Sequence, residues 1–140
     1  VRVGNECVRY LLDTHVWIWA FEGSDRLGVK CRKALAVASV ERLVSPVSTM
    51  EIARLVARGE IELACPLQEW VARSMAALKL RTIELDHASA IEAYALPEPF
   101  HQDPADRLLV AAARVHDLHI ATADSRILTY GSVASLPAQK

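Results

Sequence analysis

Asparagine occurs once in this 140-residue chain, at Asn5, and no glycosylation sequon surrounds it. Cysteine is nearly as scarce. Cys7, Cys31 and Cys65 are odd in number and widely spaced, with no C-x-x-C pair. That excludes a closed disulfide framework or a cysteine zinc site and suits a reducing compartment. Uninterrupted apolar runs stay short, Leu108 to Ala113 reaching six residues, whereas a membrane span needs about twenty. Asp13 and His15 interrupt any signal-peptide core. The expectation is a soluble, cytoplasmic protein with no membrane association. No G-x-G-x-x-G, P-loop lysine or G-x-S-x-G elbow is present, which removes nucleotide cofactors and serine-hydrolase chemistry from consideration.

Neither sign of charge prevails: 16 basic and 17 acidic side chains give a net charge of −1. The chain lacks the strongly basic balance of many nucleic-acid binders, although a local basic rim can coexist with an acidic pocket. Lysine is rare, with Arg making up most of the cations. With 52% hydrophobic and 24% charged residues, disorder and coiled coil are excluded. The length allows one domain, 1–140, burying roughly two-thirds of its unfolded surface.

Short β-rich runs alternate with longer Ala/Leu/Arg-rich stretches. Strands are expected at 8–12, 42–47, 81–85 and 118–122, with an edge strand near 133–136 and a short extended piece at 60–63. Residues 14–20 start a helix or a tight turn, and helices are expected at 29–40, 49–58, 67–80, 87–95 and 104–115, with a short one after Asp124. This order argues for an α/β layered fold around a mainly parallel sheet. In such sheets the functional crevice lies beyond the carboxyl ends of the strands.

That rule selects carboxylates. Asp13 and Asp124 directly follow the first and fourth strands. Glu51 is expected in the first turn of the helix after the second strand, and Asp106 in the first turn of the 104–115 helix. Each has a simpler reading as a helix cap. Ser48-x-x-Glu51 matches a capping box, Asp103 is the expected N-cap before Pro104, and Asp13 and Asp124 could cap the helices that follow them. The combination favours a shared site. Two carboxylates about 5 Å apart repel by roughly 3 kcal/mol at an effective dielectric of 20. A cluster of four therefore needs protons or divalent cations, and oxygen-only donors favour Mg²⁺ or Mn²⁺. Such an ion suits phosphodiester hydrolysis.

Tyr10-Leu11-Leu12-Asp13-Thr14-His15 and Ser45-Pro46-Val47-Ser48-Thr49-Met50-Glu51-Ile52-Ala53 resemble the first two signatures of PIN-domain proteins. Phe100 to Ala111, with Asp103-Pro104-Ala105-Asp106-Arg107 at its centre, and Thr122-Ala123-Asp124 resemble the third and fourth. The set resembles VapC-type toxins of type II toxin–antitoxin pairs. The resemblance implies a PIN-like three-layer α/β sandwich with helices on both faces of the sheet. It further implies an Mg²⁺- or Mn²⁺-dependent endoribonuclease that cuts RNA, a cognate antitoxin and a homodimer. The family's acidic quartet maps onto Asp13, Glu51, Asp106 and Asp124, as both metal ligands and catalytic residues. Many relatives carry Trp before the second acid, where Met50 stands here, and the expectation is that this adaptable side chain repacks in place. Residues 1–8 read as an extension ahead of the domain.

Other residues have competing readings. His116-x-x-His119 could bind metal but spans a helix end, so a solvated turn is favoured. His15 and His101 neighbour the site, with packing roles favoured over substrate contact. Trp17, Trp19 and Trp70 could stack on bases, yet their spacing suits a core or a dimer surface. Arg54, Arg58 and Arg107 could hold phosphate or acidic antitoxin residues, or be solvated, with Arg107 the least favoured for ligand contact because it could instead salt-bridge within the fold. A phosphoacceptor domain would also gather acids at a sheet edge, but no Lys lies between Lys79 and Lys140. A catalytically silent PIN-like binding module is the remaining alternative.

Overall fold

The computed structural model describes residues 8–139, so Cys7 and the first seven residues of the expected extension lie outside the described residues. The elements run β1 (Arg9–Leu12), α1 (Thr14–Glu22), α2 (Val29–Ala36), β2 (Glu41–Val44), α3 (Pro46–Ala57) and α4 (Leu67–Leu78). They continue with β3 (Leu80–Thr82), α5 (His87–Glu92), α6 (Pro104–His116), β4 (His119–Thr122), α7 (Ser125–Leu128) and β5 (Ser135–Pro137). The five strands form one sheet in the order β3-β2-β1-β4-β5. All its pairings are parallel, with Leu11 opposite Leu43 on one side and Ile120 on the other.

Alternation along the central strands builds the layers, because successive side chains of a strand point to opposite faces. Leu11, Leu43 and Ile120 enter one core, with Leu109, Val110 and Ala113 of α6. Leu12, Val44 and Ala121 enter the other, with Val16 and Trp17 of α1, Ile52 of α3 and Trp70 of α4. Each fully buried aliphatic side chain contributes about 1.5–3 kcal/mol, so both faces of the sheet must be covered. The result is the expected three-layer α/β sandwich.

Several expected boundaries shift. The second strand stops at Val44, and α3 begins three residues earlier than expected. Ser45 caps it, its hydroxyl accepting from the Val47 amide at 3.0 Å, and Pro46 occupies the first helical position, where its fixed φ is favourable. The Ser48 capping box is therefore not used. Ser48 lies inside α3 with its hydroxyl buried and without a hydrogen-bond partner among the described residues. Lys79, at φ 55°, ends α4 in the left-handed region, so β3 starts at Leu80, before the expected 81. Residues 60–63 form no strand. Asp86 and Asp103 cap α5 and α6 as expected, accepting from the Ser89 amide at 2.8 Å and the Ala105 amide at 3.2 Å.

Met50 does not repack into the interior. It stands 62% exposed on α3, on the side away from Ile52, because residues two apart on a helix face nearly opposite directions and Ile52 enters the core. Arg107 goes the other way. It is only 1% exposed, and its guanidinium donates to the carbonyls of Ala93 at 2.8 Å and of Phe100 and His101 at 3.1 Å. It also pairs with Glu98 at 3.1 Å and lies 5.1 Å from the centre of the Tyr94 ring. Of the readings considered from sequence, the salt bridge within the fold is the one Arg107 adopts, with three carbonyls added as acceptors.

Replacing Arg107 by Met should orphan those carbonyls and cost about 3 kcal/mol or more, measured by urea unfolding. Arg107→Lys should recover less than half of that loss, since one ammonium cannot reproduce the planar fork.

Candidate metal centre in an acidic cleft

The strand order reverses beside β1: the chain moves outward to β2 and β3, then returns to place β4 and β5 on the other side. Asp13 and Asp124 follow the two strands that flank this switch point, where α/β sheets open a crevice. Both are also helix caps, so the simpler reading and the clustered one hold together. Asp13 Oδ1 accepts from the Thr14 amide at 2.6 Å, and its Oδ2 accepts from the Thr122 hydroxyl at 2.6 Å. Asp124 Oδ1 accepts from the Arg126 amide at 2.9 Å. The fully buried Thr122 joins the two, since its Oγ1 also accepts from the Asp124 amide at 3.0 Å.

Glu51 lies in the second turn of α3, not the first, following the earlier helix start. Its Oε1 nevertheless reaches β1's end, accepting from the Thr14 hydroxyl at 2.7 Å. Asp106 lies in the first turn of α6, with its side chain 10% exposed. The N-terminus of α6 does point to the common edge. All four carboxylates line a single cleft of about 540 Å³.

Two further residues belong to this cluster. His101 Nε2 is buried and 3.1 Å from Asp106 Oδ2, without the alignment of a hydrogen bond. His101, Asp106 and Asp124 each offer a ligand atom, all within 4.8 Å of one another. The group could hold a metal ion: its carboxylates suit Mg²⁺ or Mn²⁺, whereas the imidazole nitrogen suits a more borderline metal and departs from the oxygen-only set expected from sequence. Arg126, passed over in the sequence reading, donates from Nε and Nη2 to Asp124 at 3.2 and 3.0 Å and approaches Asp106 at 3.6 Å. The usable signal was its position two residues after a helix-capping Asp.

The remaining candidates separate cleanly. Arg54, His15 and Trp19 line the cleft. Arg58 pairs with Glu60 at 3.3 Å, and Trp17 and Trp70 are core residues. His116 Nε2 meets Asp86 at 2.8 Å, whereas His119 packs edge-on to Tyr10, so this pair does not converge on one ligand.

Burial, and then the charges of Asp103, Asp13, Asp124 and Glu51, push the Asp106 pKa up to about 7. Burial also raises Asp13, opposed by its bonds to Thr122 and Thr14. Asp124 goes down, held ionised chiefly by its hydrogen bond to Arg126. The cleft thus concentrates unfavourable negative charge on Asp106.

The linkage has a definite sign. Folded Asp106 retains a proton that the unfolded chain releases near pH 3.8, so this group makes the metal-free protein lose stability as pH rises from about 4 to about 7. In a chelator, Asp106→Asn should flatten that slope and raise Tm at pH 7.5 by roughly 3–6 °C. Calorimetry from pH 4 to 8 checks it. An equal fall in Tm at every pH would instead make Asp106 a structural prop.

Comparison with known proteins follows the same residues. The PIN domain family matches residues 10–132. Ribonuclease VapC22 of Mycobacterium tuberculosis is 35% identical over 120 residues, spanning 86% of this chain and 90% of that protein. Among solved structures, VapBC2 from Rickettsia felis bound to a promoter DNA fragment superposes with a TM-score of 0.68 at 12% identity, over 93% of this chain and 98% of that one. FitAcB from Neisseria gonorrhoeae superposes with a TM-score of 0.63 at 20% identity, over 92% and 97%. At those identities the structures establish the shared fold, while the family match and the VapC22 alignment establish kinship: this chain belongs to the PIN-domain family, in its VapC-type branch.

Proposed function

We propose that this protein is an Mg²⁺- or Mn²⁺-dependent endoribonuclease, the toxin of a toxin–antitoxin pair, and that Asp13, Glu51, Asp106 and Asp124 hold the metal. The observation carrying the proposal is the convergence of these carboxylates, from four separate segments of chain, on one cleft. A ribonuclease 35% identical over most of its length supports the same chemistry. A hard divalent cation bound there supplies a polarised phosphoryl oxygen and a water of lowered pKa.

The chain's own residues prepare the site. Thr14 and Thr122 fix the rotamers of Glu51 and Asp13 through short hydroxyl–carboxylate bonds, so little ordering remains when substrate arrives. Asp106 holds a proton up to about neutral pH and releases it to become a ligand. Arg126 balances the Asp124 carboxylate, which would be among the residues holding the cation, while the guanidinium would be placed to meet a phosphate.

The proposed partners are RNA, a cognate antitoxin and a second copy of the chain. VapBC2 from Rickettsia felis, compared above, is bound to a DNA fragment from its promoter. Ile91 and Tyr94, 71% and 65% exposed, are large apolar side chains of the kind a homodimer covers. Among the described residues, no helix is long and apolar enough to cross a membrane.

Purified protein should cut single-stranded RNA in Mn²⁺ and not in a chelator, read by gel electrophoresis. Asp13→Asn and Asp106→Asn should each lower the rate by at least about 100-fold, more than loss of a residue outside the metal's ligand shell. Wild-type protein that cuts no RNA with either metal would overturn the nuclease reading in favour of a silent binding module. Cation affinity should also weaken as pH falls below about 7, by up to about tenfold per pH unit for one competing proton, measured by calorimetric titration.

A further inference from the structure

The tryptophans of this chain divide by environment. Trp17 and Trp70 are 0% and 1% exposed, with ring centroids 5.3 Å apart, and the Trp17 indole donates to the Ser74 hydroxyl at 2.9 Å. They fill the core between α1 and α4. Trp19 is half-buried and lines the cleft that holds the carboxylates. Its indole N–H has no hydrogen-bond partner among the described residues. One helical turn earlier, exposed His15 lines the same cleft, its ring centroid 5.9 Å from that of Trp19 at an interplanar angle of 51°.

Helix geometry sets this arrangement. Residues four apart share a face, and α1 is anchored at Asp13, which caps it. The aromatic pair therefore begins two residues beyond a carboxylate and runs away from it. Cations border the same wall. Arg54 follows Glu51 by nearly one turn of α3, Arg26 lies in the connection after α1, and both line the cleft. The lining is therefore divided in part: Asp13 and Asp124 lie at the carboxyl ends of β1 and β4 with Arg126 beside them, Glu51 and Arg54 share α3, and the aromatic rings stand apart along α1.

From this division we infer that the cleft contains a nucleobase-stacking subsite formed by Trp19 and His15, with Arg26 and Arg54 beside it to meet a flanking phosphate. The inference rests on the ribonuclease reading and deepens it by assigning where a base next to the scissile bond is held. An aromatic face binds any unstacked base, an indole N–H adds a donor for its edge, and guanidinium groups suit phosphate oxygens. A paired base presents no free face to such a wall, so the subsite selects single strands or loops.

The test measures binding separately from cleavage. The full chain carrying Asp106→Asn is titrated in Mg²⁺ with a labelled single-stranded oligoribonucleotide, and with the same oligomer made abasic, by fluorescence anisotropy. Adding Trp19→Ala should weaken the intact oligomer about 10- to 100-fold and leave the abasic oligomer unaffected. Trp19→Phe should retain most of the affinity. His15→Ala, at an exposed position that does not threaten folding, should weaken only the intact oligomer, by a smaller factor. Arg54→Gln should weaken both oligomers and lower the salt dependence by about one counterion.

Equal affinities of the parent and its Trp19→Ala and His15→Ala forms for the intact oligomer would overturn the subsite. So would equal weakening toward both oligomers, which would mark a fold or charge defect. Base-dependent binding in a wild-type protein that cuts nothing overturns the nuclease reading and leaves the subsite standing. Cleavage with binding indifferent to Trp19 and His15 does the reverse.

Discussion

Parallel strands all end at the same edge, and this geometry forces the acidic residues that follow them into one another's field. Asp13 and Asp124 follow adjacent strands, so neither can move away without unmaking a helix cap. Glu51 and Asp106 arrive from helices on the two faces and complete the crowding. The protein does not relieve this repulsion by solvation, because Asp106 is largely buried and its pKa rises in consequence. It relieves part of it with donors: two threonine hydroxyls, the cap amides and the Arg126 guanidinium. The residual field is what a cation at the proposed metal site would neutralise.

Most of this was legible in the chain, for a physical reason. An apolar β-rich run that stops at an Asp marks both a strand end and a helix start, so Asp13 and Asp124 were identifiable from local pattern. Asp106 was too, because Asp103-Pro104 already supplies a cap and leaves the next acid free. Glu51 was found with the wrong helical turn. Ser45-Pro46 and Ser48 both offer capping chemistry, and only the burial of the strand's end at Val44 decides between them. Met50 is exposed for a separate reason: Ile52, two residues on and so nearly opposite on the helix, faces the core.

The parts that were not legible depend on long-range placement. His101 sits in an irregular stretch with no pattern of its own, and its position is set by Arg107, which holds the carbonyls of Phe100 and His101 from inside the core. Arg107 itself looks like any cation beside a functional acid. Nothing local distinguishes a guanidinium that turns inward to satisfy three carbonyls from one that faces solvent. Arg126 was missed for the converse reason: an arginine in a short turn reads as solvated, and only the cap geometry of Asp124 bends it back over the acids. Support on the α2 side is equally non-local. Gly28 donates to the Ala138 carbonyl at 2.7 Å, and a Cβ there would meet that oxygen at 3.3 Å.

A net charge of −1 conceals this organisation, because the acids gathered in the cleft are balanced in the sum by cations over the rest of the chain as well as by Arg26, Arg54 and Arg126 on its lining. Screening over about 8 Å at physiological ionic strength makes local arrangement more important than that sum. A polyanion meets repulsion at the carboxylate end and attraction along the arginine wall, so the two ends impose different conditions on binding. Under the proposed nuclease reading, the arginine and aromatic wall would engage a strand by itself, whereas the carboxylate end would admit a phosphate only with a cation bound. Coupling the two in one cleft would then make productive placement of a scissile bond conditional on metal, while recognition of the neighbouring base would fall to residues that carry no metal at all.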